Sequence, residues 1–135
     1  MKVFIVEDSE VVRAHLQSML ADIPGVELAG YAVDELGAIE SIGKLLPDVV
    51  TLDLSLHPGS GIVVLEYIKM HHDTIKVIVL TNYVDEFYTS SCKRSGADCV
   101  FDKTFQFTRV RSVLWSWIHA AHSDNKIAAL CGAEK

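Results

Sequence analysis

The sequence has little of what several kinds of protein require. Its apolar residues fall in short blocks, none approaching the ~20 consecutive apolar residues of a membrane-crossing helix, so no place in a bilayer is expected. The N-terminus, Met1-Lys2-Val3-Phe4-Ile5-Val6-Glu7-Asp8, has one basic residue and a short apolar segment that stops at two acids, unlike a secretion signal. A cytoplasmic location is the default expectation. The three cysteines, Cys92, Cys99 and Cys131, lack C-x-x-C spacing and cannot all pair with one another. That argues against a disulfide framework and a zinc site and favours reduced thiols. Basic residues are the minority, 12 Lys and Arg against 18 Asp and Glu, for a net charge of -6. Without a basic face the chain is not expected to hold nucleic acid directly, whereas an acidic balance suits a divalent cation. His71 and His72 have no third ligand nearby in sequence and read as solvated residues at a helix end. No repeat, linker or low-complexity tract interrupts the 135 residues, which are material for one domain.

What the chain does contain is a regular alternation. Val3 to Val6 is a continuous apolar block, the pattern of a strand covered on both faces, and it ends at Glu7-Asp8. Ser9 can cap a helix with Val12, Leu16, Met19 and Leu20 at helical spacing, stopped at Ile23-Pro24-Gly25. Val26 to Tyr31 reads as a second strand, and Asp34 to Leu46 as a second helix with Leu36, Ile39, Ile42 and Leu46 on one stripe. Val49 to Leu52 is a third buried strand that ends on Asp53, with polar and turn residues directly after it. A third helix opens at Ser60 or Gly61 and carries Val64, Leu65, Ile68 and Met70. Lys76 to Leu80 is a fourth strand, stopping at Thr81, and Val84 to Ser95 a fourth helix around Phe87, Tyr88 and Cys92, closed by Gly96. Asp98 to Asp102 leads into Lys103-Thr104. A last helix from about Phe105 to His122 places Val110, Val113, Leu114, Trp117, Ile118 and Ala121 on one face.

Strand then helix, five times over, predicts an α/β fold with parallel crossovers. For this size the common form is a flavodoxin-like five-stranded parallel sheet in the order 2-1-3-4-5, a three-layer sandwich with helices on both faces. In that order strands 1 and 3 are neighbours at the switch point. Glu7, Asp8 and Asp53 then meet in one crevice, with Thr81 and Lys103 on adjacent strand ends. Any one of these residues alone would read as a cap, a turn former or a solvated charge. Their coincidence at one edge of one sheet points to a site. Three crowded carboxylates repel one another unless a cation is present. Mg²⁺ suits them, being a hard cation commonly shared between one or two carboxylates and a phosphate. The metal and Lys103 can neutralise a phosphoryl group in transfer while a carboxylate attacks, which makes Asp53 the candidate nucleophile.

With these residues the sequence resembles the receiver domain of two-component response regulators, related to the chemotaxis receiver. The matching pieces are Val6-Glu7-Asp8, Leu52-Asp53-Leu54 with Gly61 eight residues on, Val79-Leu80-Thr81, Gly96-Ala97-Asp98 and Asp102-Lys103. The resemblance implies a receiver over 1–122 followed by a tail, 123–135, with little structure. It implies that Asp53 accepts a phosphoryl group from a sensor histidine kinase or a histidine phosphotransfer protein. Asp8, Asp53 and the backbone carbonyl of Ser55 would hold Mg²⁺, with Glu7 acting through a metal-bound water. Lys103 would pair with the phosphate and Thr81 would hydrogen-bond it. The chain would catalyse its own aspartyl phosphorylation and dephosphorylation while serving mainly as a switch, whose docking face engages a downstream protein target.

Some positions depart from the family. His57 stands where a proline is usual, with Pro58 next, and Asn82 replaces the small residue common after the threonine. Val100 holds the place of the switch aromatic, and strand alternation turns the neighbouring Phe101 to the opposite face. The chain ends soon after the fifth helix, which favours a single-domain regulator; the alternatives are a receiver fragment of a longer DNA-binding or enzymatic regulator and, more remotely, a flavodoxin-like binding protein without phosphotransfer. Trp115 lies off the apolar stripe of the last helix, and dimerisation through that helix is left open.

Overall fold

The computed structural model describes residues 1–56, 59–82, 86–103 and 107–120, with the backbone alone for 86–88. Its strands are β1 (Lys2–Val6), β2 (Glu27–Ala32), β3 (Val49–Leu52), β4 (Lys76–Thr81) and β5 (Cys99–Asp102). They alternate with helices α1 (Glu10–Ala21), α2 (Glu35–Leu45), α3 (Gly61–His71), α4 (Glu86–Arg94) and α5 (Arg109–His119). The sheet order is β2-β1-β3-β4-β5 with every pair parallel, the flavodoxin-like arrangement expected from the alternation. Among the described residues no helix is long and apolar enough to cross a membrane.

Alternation along each strand divides the core in two. Phe4, Val6, Val50, Leu52, Val77, Val79 and Val100 face one side and pack with Ala38 and Ile42 of α2, Val64, Leu65 and Ile68 of α3, and Cys92 of α4. Val3, Ile5, Ile78, Leu80, Cys99 and Phe101 face the other, against Leu16 and Leu20 of α1 and Val110, Val113 and Leu114 of α5. Phe101 and Val100 therefore do point to opposite faces. Burial of these side chains, about 1.5–3 kcal/mol each, is what holds the helices on the sheet.

Among the described residues, three helices begin on side-chain caps. The Ser9 hydroxyl accepts from Val12 N at 3.3 Å, the Asp34 carboxylate from Gly37 N at 2.8 Å, and the Ser60 hydroxyl from Ile62 N at 3.2 Å. Edge strand β2 carries an irregularity: Val3 pairs with Leu28 but Phe4 pairs with Gly30, so Ala29 is an extra residue. Gly30 takes φ +149 there.

Some expectations need correction. On α2 the inward residues are Ala38 and Ile42, while Leu36 is 78% exposed and Leu46 is the C-cap, in a left-handed conformation with φ 47. The buried side carries the small Ala38 beside Ile42, so large apolar residues alone do not mark it. Met70 is likewise exposed, two positions past Ile68, the last inward residue of α3. Cys92 is a free, buried thiol, as expected, whereas Cys99 is disulfide-bonded, contrary to the reading of reduced thiols. The helix start at Val84, the side chains of Phe87 and Tyr88, Phe105, and all positions beyond 120 lie outside the described residues.

Candidate phosphoryl-transfer site

The register aligns the strand ends. Val6 lies beside Leu52, Leu52 beside Val79, and Val79 beside Val100. The residues that follow these strands consequently share one edge. Two backbone bonds fix the acidic strand ends, Glu7 N donating to Ala32 O at 3.0 Å and Asp53 N to Val6 O at 2.9 Å. Glu7 and Asp53 are only 1% and 3% exposed, and Asp8 is half-buried beside them. One ligand oxygen from each of these three carboxylates lies within 4.8 Å of the others.

Lys103 enters from the turn after β5, where its amide donates to Thr81 O at 3.1 Å. Its Nζ lies 3.0 Å from Glu7 Oε1 and 3.2 Å from Asp53 Oδ2, so one ammonium bridges two buried carboxylates. Backbone donors hold the same acids: Ser9 N reaches Glu7 Oε2 at 3.1 Å, and Ser55 N reaches Asp53 Oδ1 at 3.0 Å. Thr81 ends β4 fully buried, in register with Asp102.

Burial raises the pKa of Glu7 above the ordinary carboxylate value; the Lys103 hydrogen bond opposes that rise and the nearby Asp53 charge adds to it. Burial alone would lower Lys103, but its hydrogen bond to Glu7 and the charges of Asp53 and Glu7 outweigh it, so the ammonium is held above its ordinary value. A crowded, half-desolvated set of hard oxygens with a fixed cation on one side is chemically suited to Mg²⁺, whose charge would offset the remaining carboxylate repulsion.

Glu7, Asp8, Asp53 and Lys103 are thus brought together as expected, and Thr81 and Ser55 stand at the adjoining strand and loop positions. His57 and Pro58 lie outside the described residues. Arg13 was not anticipated: its guanidinium donates to Glu7 O at 3.0 Å and sits 4.6 Å over the Tyr31 ring, bracing the turn that presents the acids. Its signal in the sequence is a basic residue one helical turn past the acidic strand end, which by itself reads as a solvated charge.

Residues 3–114 match the family of response regulator receiver domains. The chain is 37% identical over 99 residues to a protein-glutamate methylesterase/protein-glutamine glutaminase of Geobacter metallireducens, covering 73% of this chain and 28% of that protein. It is 31% identical over 103 residues to the response regulator protein VraR of Staphylococcus saprophyticus, covering 76% of this chain and 49% of that one. It therefore spans between about a quarter and a half of these relatives. Among solved structures, the response regulator domain of CheB from Thermotoga maritima superposes with a TM-score of 0.77 at 28% identity, over 90% of this chain and 95% of that one.

Proposed function

The chain belongs to the family of response regulator receiver domains, and we propose that within it Asp53 is the phosphoacceptor of a Mg²⁺-dependent switch. The observation that carries this reading is the Lys103 ammonium bridging buried Glu7 and Asp53 while Asp8 completes a three-carboxylate cluster. Asp8, Asp53 and the Ser55 carbonyl would hold Mg²⁺, and Glu7 would act through a metal-bound water. The ion, when bound, supplies positive charge against the phosphoryl oxygens.

An Asp53 carboxylate oxygen forms a bond to phosphorus as the bond from phosphorus to the donor's imidazole nitrogen breaks; the departing imidazole nitrogen is protonated from solvent. Lys103 Nζ, already 3.2 Å from Asp53 Oδ2, pairs with the transferred group. The amide of Ser55 fixes the other carboxylate oxygen, which leaves the attacking oxygen oriented. Thr81 hydrogen-bonds the phosphoryl group, and the new charge shifts the population of the face formed by α4, β5 and α5. The upstream partner is a phosphohistidine protein, and the downstream partner is a protein that docks on that face.

A second reading, favoured by the share of the relatives' length that the chain spans, is that the same switch is the regulatory portion of a longer regulator. Both readings share the chemistry. Incubation with Mg²⁺ and acetyl phosphate should add one phosphoryl group by intact mass. No addition, or addition that persists in Asp53→Asn, would overturn the proposal.

A further inference from the structure

The loop that leaves Asp53 ends on a cap assembled from two helices. Ser60 is the N-cap of α3. A complete capping box places Glu or Gln three residues beyond the cap, where its side chain accepts from the cap residue's own amide. Here that place is Val63, apolar and 40% exposed, and the first turn of α3 contains no acid. The acceptor comes from α2 instead. Glu35 Oε1 accepts from Ser60 N at 2.9 Å, across 25 positions of sequence. A carboxylate at this point also faces the positive end of the α3 dipole.

The surrounding residues are shaped for that bond. Gly59 has φ +107, and a Cβ there would lie 2.5 Å from Glu35 Cβ and 2.8 Å from Glu35 Oε1, so glycine is required both by the backbone and by the incoming side chain. The next residue after Ser60, Gly61, donates its amide to Leu54 O at 3.1 Å, and a Cβ on it would strike the Asp53 carbonyl oxygen. The residue that Glu35 holds is thus directly followed by the one that lies against the backbone of the proposed phosphoacceptor. Through Leu54 the same contact reaches Ser55, whose amide holds Asp53 Oδ1 at 3.0 Å.

We infer that Glu35 is a positioning residue for the phosphoacceptor: from α2 it supplies the missing half of the α3 capping box and so fixes Ser60, and with it Gly61, against the Asp53-Leu54 backbone. The role in phosphorylation rests on the function proposed above; the anchoring does not. Glu35 touches neither the reacting atoms nor the metal oxygens, and its effect passes through the backbone.

The test compares Glu35→Ala with Glu35→Gln, whose amide oxygen still accepts from Ser60. Ile42→Val, a buried change on the same helix that leaves the loop untouched, controls for loss of stability. In metal-free protein, hydrogen exchange at the Ser60 and Gly61 amides should quicken in Glu35→Ala alone. Mg²⁺ affinity by calorimetry should weaken about three- to tenfold in Glu35→Ala, at or below the range seen when residues behind a metal ligand are removed. Glu35→Gln should stay within about twofold of the parent because the acceptor is retained. Unchanged amide exchange and Mg²⁺ affinity in Glu35→Ala, or equal losses in Ile42→Val, would overturn the assignment of Glu35. Failure of the unsubstituted protein to take phosphate, with the Ser60 and Gly61 exchange pattern as expected, would overturn the phosphoacceptor reading and leave the anchoring by Glu35 standing.

Discussion

A single methyl group on Gly61 should damage both the fold and the site. Gly61 opens α3 where the helix meets the segment after β3, and a Cβ there would strike the Asp53 carbonyl oxygen and fall 2.5 Å from Leu54 Cα. Ordinary contact between carbons begins near 3.5 Å, so the first turn of α3 or the Asp53-Leu54 backbone must retreat by roughly 1 Å. Crowding of this kind costs about 1–3 kcal/mol. At a few degrees per kcal/mol for a domain of this size, Gly61→Ala should melt roughly 4–10 °C lower. Because the retreat involves the backbone that carries Asp53, phosphorylation by acetyl phosphate should slow by about 10- to 100-fold, the scale associated with a 1 Å misplacement of reacting groups. Melting followed by circular dichroism and time-resolved intact mass would read the two effects. A Gly61→Ala protein with unchanged melting and an unchanged phosphorylation rate would show that α3 does not bear on Asp53 as described.

Lys103→Met should leave Mg²⁺ binding by calorimetry largely intact while slowing phosphorylation; equal losses in both would remove the distinction drawn between the ammonium and the carboxylates. The folded-state pKa of Lys103 lies above its ordinary 10.5, so its ion pairs contribute stability that is fully present below pH 10.5 and lost as pH rises through the raised value. Lys103→Met should accordingly flatten the alkaline limb of melting temperature against pH, and a limb of unchanged steepness would contradict that linkage. Lys69 donates to Ile75 O at 2.7 Å and to Asp98 Oδ2 at 3.1 Å, and the same Asp98 oxygen accepts from Val77 N at 2.7 Å. Lys69→Met should cost about 1–2 kcal/mol in urea unfolding, since both partners keep some access to water, with phosphorylation unaffected. Phe101→Ala, at a fully buried position between α1 and α5, should cost about 3–5 kcal/mol; a loss below about 1 kcal/mol would place its ring outside that core.

Continuous apolar blocks made the strands legible, because a strand covered on both faces needs no alternation and stops where the first acid or hydroxyl appears. Glu7, Asp53 and Thr81 mark those stops, and the switch-point rule by itself brings the two acids together. Helix surfaces were harder to read. Leu36 and Leu46 fit an apolar stripe yet are exposed, because Ala38 fills the buried position of α2 that a search for large apolar residues passes over, and Met70 is exposed at the end of α3. Contacts between elements distant in sequence left the weakest trace. Arg13 on Glu7 O and Glu35 on Ser60 N are each ordinary charged residues in an amphipathic helix until the fold supplies their partners. Strand period alone puts Phe101 on the face opposite Val100, and the two core clusters bear this out.

The central claim is that Asp53 carries the phosphoryl group. After incubation with acetyl phosphate and Mg²⁺, proteolysis and mass mapping should place one phosphoryl group on the peptide containing Asp53, with no modification when Mg²⁺ is chelated beforehand. Modification of a peptide containing Glu7 and Asp8 instead, or equal modification with and without Mg²⁺, would contradict the account.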